Sequence, residues 1–175
     1  MTMSTSEKQK PTQLFTAATY GYLDEINILL ADPLIDPSIN NNFAMRWASA
    51  NGHASIVKQL LTDPRVDPSV LDNWAIRWAA MRGHYDVVDL LLDDPRVDPR
   101  DDNNAAVQLA YSNRHLDVVY LLLEDNTELS QWAKEKGLIL FPEEPRFQIF
   151  KAACIWIVLL VSFWLLVLGE NLNEK

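Results

Sequence analysis

The stretch from Trp74 to Leu92, WAIRWAAMRGHYDVVDLLL, determines the fold. Its first half carries alanine and isoleucine at helical spacing, and its second half carries valine and leucine at the same spacing. Gly83 separates the two halves and can turn the chain with a positive φ. Asp94-Pro95 follows, and the residue before a proline disfavours the α-helical region. The stretch therefore predicts two short helices joined by a tight turn.

The same pattern recurs along the chain with a period of 31 residues. Gly52-His53 returns as Gly83-His84, and the Asp-Pro pairs return at the same spacing. Alanines and leucines are in step as well, at Ala17, Ala48, Ala79, Ala110, Leu29, Leu60, Leu91 and Leu122. A fixed period of this length is typical of a solenoid, in which each unit buries its apolar face against its neighbours.

The period defines four units, which we place at 12–42, 43–73, 74–104 and 105–130. We expect the first helix of a unit to follow Asn42, Asn73 or Asn104, because asparagine is a favourable N-cap residue. The ends of the stack need cover. Polar residues in the first unit and one further helix between Asn126 and Gly137 are expected to supply it.

The segment 74–92 resembles the ankyrin consensus, which begins TPLHLAA and continues through GH and a VV-x-LLL run. The two match without a gap, and the four units cover about two thirds of the chain. The TPLH signature is replaced by FAMR at 43–46, WAIR at 74–77 and AAVQ at 105–108, and each unit is two residues shorter than the family's 33. The resemblance implies an all-α ankyrin solenoid that binds proteins, with its β-hairpin finger shortened or reduced to a plain turn.

Composition and charge exclude several classes of function. The formal net charge is −9 and the pI about 4.7, so the surface repels phosphate backbones and nucleic-acid binding is not expected. The single cysteine, Cys154, cannot form an intramolecular disulfide, and residues 1–11 are a polar segment that we expect to be flexible and not a signal peptide. No nucleophile elbow, phosphate-binding loop or zinc motif is present, so neither an enzyme nor a cofactor is expected.

The histidines and aspartates each allow a metal-binding interpretation, which we reject. His53, His84 and His115 occupy one equivalent position per unit, and stacked helices lie roughly 10 Å apart, too far for one zinc ion. The Asp-Pro loops contain prolines and lack the dense ligand run of a calcium loop. We therefore interpret the histidines as structural turn residues and expect no bound metal.

The tryptophans and arginines of the first helices have two interpretations. Trp47, Trp74 and Trp78 fit packing between units or an exposed binding surface, and Trp74 is the better candidate for the surface because it starts its helix. Arg46 and Arg77 stand where the family has histidine. They fit hydrogen bonds to loop carbonyls, or to acids such as Asp67 and Asp72, or a role at the partner surface.

Positions that vary between otherwise fixed units are the candidates for binding an unidentified protein partner. They lie mainly before the turn glycine, on the face that lines the concave groove in the ankyrin fold, and partly in the flanking loops. The predicted partner-binding residues are Tyr20, Asn51, Trp74, Met81, Arg82, Ser112, Asn113 and Asn103. A merely solvated surface is the alternative.

The C-terminal part of the chain predicts a membrane helix. Residues 152–168 are 17 in number, uncharged and polar only at Ser162, and as a helix they measure about 26 Å against a bilayer core of about 30 Å. We place a transmembrane helix at 148–169, after a cap and linker at 131–147 and before a short tail at 170–175. The alternative is a helix that covers the last repeat or mediates oligomerisation.

Basic residues on the N-terminal side of the apolar run predict that the repeats face the cytoplasm as in a tail-anchored protein. The shortness of the run favours a thin membrane such as that of the endoplasmic reticulum. Cys154 near the expected boundary is a candidate for S-acylation. The sequence thus predicts a membrane-tethered ankyrin-repeat adaptor, or alternatively a soluble ankyrin-repeat binding protein.

Overall fold

A computed structural model describes the backbone of residues 5–124 and 126–138. This part of the chain is all-helical and contains no β-strand, in agreement with the predicted all-α stack. The predictions for the linker, the membrane helix and Cys154 lie outside the described residues. The helices are α1 (Thr5–Tyr20), α2 (Leu23–Leu30), α3 (Ile39–Ala50), α4 (Ala54–Leu61), α5 (Val70–Arg82), α6 (Tyr85–Leu92), α7 (Asp101–Ser112), α8 (Leu116–Glu124) and α9 (Thr127–Glu135).

The helices form two layers. α1, α3, α5 and α7 pack side by side in a first-helix layer, and α2, α4, α6 and α8 form a second-helix layer. Corresponding helices begin 31 residues apart, at Ile39, Val70 and Asp101 in the first layer. The side of the first helices that faces the core carries fully buried alanines, which let the backbones approach closely, while leucine and valine of the second helices fill the remaining space. The buried alanines of these helices are Ala17, Ala18, Ala44, Ala48, Ala50, Ala75, Ala79, Ala80, Ala106 and Ala110.

Each of α3, α5 and α7 opens with one turn of left-handed backbone. Three successive residues have φ between +51° and +64°; they are Asn40–Asn42, Leu71–Asn73 and Asp102–Asn104. The right-handed helix follows from Phe43, Trp74 and Ala105, as expected, but the predicted N-cap role of the asparagines is wrong. The side-chain oxygen of Asn42 instead accepts the backbone N–H of Asp67, at 3.0 Å, and thereby joins two successive loops. Asparagine suits both roles, because its short amide tolerates left-handed backbone as well as capping.

The Asp-Pro loops are held by hydrogen bonds of their own aspartates. Asp63 accepts the backbone N–H of Arg65 at 3.0 Å and pairs with its guanidinium at 2.6 Å. Arg65 also donates to the carbonyl of Ile35 in the preceding loop, at 2.8 Å. Arg96 repeats the arrangement with Asp94 and with the carbonyl of Val66. The arginines, held in place by the aspartates of their own loops, therefore connect neighbouring units.

The turn between the two helices of a unit depends on glycine and on the next unit's histidine. Gly52 has φ +77°, and a Cβ built on it would lie 2.7 Å from Nδ1 of His84. The other ring nitrogen of His84, Nε2, lies 3.0 Å from the carbonyl oxygen of Ala50. His53 makes the same contact with the carbonyl of Thr19. The predicted structural role of the histidines therefore matches their contacts in the stack.

The two ends of the described region differ. At the C-terminal end α9 packs on α8, its first turn is capped by the side chain of Asn126, and Leu129 and Ala133 are buried. At the N-terminal end the helix α1 begins at Thr5, inside the segment 1–11 that was expected to be flexible. The residues there include glutamate, glutamine and lysine, which are favourable in helices.

None of the helices in the described ranges is long and apolar enough to span a bilayer.

Candidate binding surface

A run of aromatic rings crosses the solvent side of the first-helix layer. The ring centroids lie 4.4 Å apart between Phe15 and Phe43, 5.6 Å between Phe43 and Trp47, 6.0 Å between Trp47 and Trp74, and 4.9 Å between Trp74 and Trp78. We call these five residues the aromatic ribbon. All five side chains are half-buried, so they pack against one another and still present surface to solvent.

Helical spacing and the repeat together produce the ribbon. Phe43 and Trp47 lie four residues apart on α3, as do Trp74 and Trp78 on α5, so each pair shares one helix face. The repeat then places the two faces side by side. In α7 the equivalent positions hold Ala105 and Leu109, and the aromatic ribbon ends there. The packing interpretation of the tryptophans is therefore confirmed, since the rings join neighbouring units, and the rings also remain partly accessible to solvent.

Arg46 and Arg77 hold the left-handed turns. Arg46 donates from Nε to the carbonyl of Asn41, at 2.8 Å, and from Nη2 to the carbonyl of Asn40, at 3.1 Å. Arg77 donates to the carbonyl of Leu71, at 2.9 Å, and pairs with Asp102 of the next loop. The expected bonds to loop carbonyls are present, while the acid that pairs is Asp102 and not Asp67 or Asp72.

Two of the predicted partner-binding residues make hydrogen bonds between units. Asn51 donates from its amide to the carbonyl of Thr19, at 3.2 Å. Arg82 donates to the carbonyl of Ala50, at 2.8 Å, and to the side chain of Asn51, at 3.0 Å, while its guanidinium lies over the ring of Trp78. Their side chains thus have a structural use, although Arg82 remains exposed.

The other predicted residues lie on the first helices or next to their ends. Tyr20 is 67% exposed and stacks on Tyr22, and Met81 is half-buried. Three further residues are exposed: Ser112, Asn113 and Asn103. Of the eight predicted residues, only Trp74 belongs to the aromatic ribbon, and Arg82 adjoins it.

Sequence reasoning gave less weight to Trp47 and Trp78 than to Trp74, and it did not single out Phe43. The signal that finds all of them is the combination of a four-residue spacing with the 31-residue period. It places these rings on one face of the first helices, about 100° around the helix axis from the buried alanines.

Charge is distributed unequally between the two layers. The right-handed parts of α3, α5 and α7 contain no aspartate or glutamate, and they contain Arg46, Arg77 and Arg82. The second-helix layer contains six acidic residues and a single lysine, Lys58; the acids are Asp24, Glu25, Asp86, Asp89, Asp117 and Glu124. The aromatic ribbon therefore lies on the less acidic side of an acidic protein.

In the described part of the chain, no three histidine, cysteine or acidic side chains come together as metal ligands would.

The repeat, the paired helices and the Gly-His turns agree with a comparison against protein families, in which residues 45–131 match the model of ankyrin repeats in three copies. The chain belongs to the ankyrin-repeat family. Ankyrin repeats are protein-interaction modules and not catalysts. A search of curated proteins found no match to this ankyrin-repeat chain.

Proposed function

We propose that this ankyrin-repeat chain is a non-enzymatic adaptor that binds a protein partner on the aromatic ribbon. The observation that supports this most is that five aromatic rings are held in contact with one another on one side of the stack and stay partly accessible. Tryptophan and tyrosine dominate the energetics of protein interfaces, and rings that are already ordered lose little conformational entropy on binding.

Site-specific photo-crosslinking in cells tests this proposal. A benzoyl-phenylalanine residue replaces Trp74 on the aromatic ribbon in one variant and Tyr120 on the second-helix layer in the other; Tyr120 is 43% exposed and serves as the control. We expect discrete protein adducts from position 74 and few from position 120. Adducts from position 120 alone would place the partner on the opposite layer and contradict the proposal.

A second element of the proposal is that residues 148–169 tether the adaptor to a membrane, with the repeats in the cytoplasm. Its support is the uncharged apolar run 152–168, with basic residues before it. The alternative, a soluble binding protein whose apolar segment covers the stack or mediates oligomerisation, rests on the same run. An endoplasmic-reticulum-like membrane and acylation at Cys154 are extensions of the tethered form.

Fractionation separates the two forms. A tagged full chain is expected to stay in the membrane pellet after carbonate extraction, and the same chain without 148–175 is expected in the supernatant. If the full chain is extracted by carbonate, or if the deletion leaves membrane association unchanged, the membrane tether is wrong and the soluble form is favoured.

A further inference from the structure

Each of the two tryptophans on α5 has a guanidinium group over its ring. The rings of Trp74 and Trp78 are stacked, with centroids 4.9 Å apart and planes inclined by 21°. The guanidinium of Arg46, from the neighbouring helix, lies 5.1 Å from the centroid of Trp74, and that of Arg82 lies 5.6 Å from the centroid of Trp78. We call these four residues the arginine–tryptophan stack. Guanidinium groups over tryptophan rings are favourably placed for cation–π attraction.

Neither guanidinium of this stack is neutralised by an acid within the described residues. Arg46 donates to backbone carbonyls, and Arg82 donates to a backbone carbonyl and an amide. The loop arginines differ, because Arg65 and Arg96 each pair with an aspartate. Aspartate hydrogen bonds raise the pKa of those two guanidinium groups, whereas burial lowers the pKa of Arg46. Arg46 and Arg82 thus retain positive charge that no carboxylate of the described chain offsets.

The surroundings sharpen this contrast. The protein carries a formal net charge of −9, yet the right-handed parts of α3, α5 and α7 hold no acidic residue. An anionic group that approaches the arginine–tryptophan stack meets two unpaired guanidinium groups at rings that are only half-buried. A cationic ligand would be repelled at the same place. Because charge-assisted hydrogen bonds are about twice as strong as neutral ones, carboxylates are the favoured complement.

We propose that the arginine–tryptophan stack binds an acidic protein segment, in which two carboxylates flank an aromatic or apolar side chain. This inference rests on the proposed protein-binding function and names the class of partner. The apolar side chain covers Trp74 and Trp78, and one carboxylate pairs with each guanidinium. Because Arg46 lies over Trp74, we take the spacing of the two guanidinium groups from the positions of Trp74 and Arg82 on α5. These positions are eight residues apart, which corresponds to about 12 Å of helix. An extended segment covers that distance in about four residues, so the carboxylates stand about four positions apart.

The repeat supplies substitutions that remove the charges with residues that the chain already uses at equivalent positions. Gln108 occupies the position of Arg46 in the fourth unit and donates to the carbonyl of Asn103, at 2.6 Å. Asn51 and Asn113 occupy the position of Arg82. Arg46→Gln and Arg82→Asn therefore keep the local hydrogen-bonding chemistry. The control is Lys58→Asn, which removes a positive charge from the second-helix layer and has Asn27 as its equivalent.

Selection from a phage-displayed library of short random peptides, on the full chain purified in a mild detergent, tests the inference. We expect the enriched peptides to share two acidic residues about four positions apart on either side of an aromatic or apolar residue. Binding of the most enriched peptide, followed by fluorescence anisotropy, is expected to weaken about tenfold or more in Arg46→Gln/Arg82→Asn, because two charged hydrogen bonds are lost. It is expected to stay unchanged in Lys58→Asn.

The outcomes separate the inference from the proposed function. Two results would overturn the acidic partner and leave protein binding at the aromatic ribbon intact. In the first, the enriched peptides need Trp74 and Trp78 but carry no acidic residues. In the second, they bind Arg46→Gln/Arg82→Asn as tightly as the unmodified chain. Enriched peptides that bind equally well without the two tryptophans contradict both. A labelled single-stranded RNA of mixed sequence is tested in parallel. If it binds more tightly than the peptides and loses binding in the double variant, the anionic partner is a nucleic acid and the inference is wrong.

Discussion

At the scale of single residues, left-handed backbone does not by itself explain why glycine occupies the turns. Arg114 takes φ +65° at the equivalent position of the fourth unit, so a side chain is compatible with that backbone. The glycines at 21, 52 and 83 differ because the next unit's histidine ring lies against each of them. Absence of a side chain is therefore required by the contact between units.

Gly52→Ala tests this explanation. A methyl group would strain the turn and meet the ring of His84 at 2.7 Å, so we expect the unfolding free energy to fall by about 2–4 kcal/mol in urea denaturation. In a His84→Ala background, where the ring is gone, the same change should cost about 1–2 kcal/mol. Equal costs in the two backgrounds would show that the histidine contact is not the reason for glycine.

His84 also makes the stability depend on pH. Burial, and to a lesser degree the charges of Arg82, His53 and His115, lower its pKa below 6.5, although the hydrogen bond with Ala50 acts in the opposite direction. The pKa of His84 is lower in the folded than in the unfolded chain. The stability that this difference contributes is fully present above about pH 6.5 and is lost as the pH falls through the folded pKa.

We therefore expect the unfolding free energy to decrease between about pH 7.5 and about pH 5.5, and to decrease less in His84→Gln, which cannot titrate. Nuclear magnetic resonance titration should place the pKa of His84 in the folded chain below 6.5. Identical pH profiles for the two proteins, or a pKa at or above that value, would contradict this explanation.

At the scale of elements, the left-handed turn before each first helix is the feature that the sequence did not reveal. Asparagine before an apolar helical run fits an N-cap, and one sequence does not distinguish that role from left-handed backbone. The helix starts at 43, 74 and 105 were predictable because the apolar period changes there. The contacts of Arg82 were not, because its hydrogen-bonding partners lie more than thirty residues away in sequence.

Leu71 is the least favourable residue in these turns. Asparagine and aspartate occupy all the other left-handed positions of the three turns, whereas Leu71, with φ +57°, has a bulky side chain and is 47% exposed. Leu71→Asn should raise the unfolding free energy by about 0.5–1 kcal/mol, since left-handed backbone costs leucine more than asparagine. The reverse change at the equivalent position, Asn40→Leu, should lower it by a similar amount. Urea denaturation of both variants checks this, and destabilisation by Leu71→Asn would count against it.

At the scale of the molecule, the period of the sequence organises both the fold and the candidate surface. It predicted the two-helix unit, the order of the units and the structural role of the histidines, because each follows from local patterns repeated in step. The aromatic ribbon arises between units, and its extent depends on rings from α1, α3 and α5 meeting across the first-helix layer. The sequence thus pointed at Trp74 to the helix face that carries the aromatic ribbon, and the contacts between units define the rest of the ribbon.

The affinity of the most enriched library peptide for matched variants tests the binding surface most directly. Trp74→Ala/Trp78→Leu gives the centre of the aromatic ribbon the residues that α7 carries at the same positions. The control, Tyr85→Leu/Tyr120→Asn, gives two positions of the second-helix layer residues that other second helices carry there. Circular dichroism checks that both variants remain folded. We predict binding about thirtyfold weaker or more in the tryptophan variant, the loss expected of an interface hot spot, and no change in the tyrosine variant. Undiminished binding in the folded tryptophan variant, or an equal loss in both, would contradict the assignment of the aromatic ribbon as the binding surface.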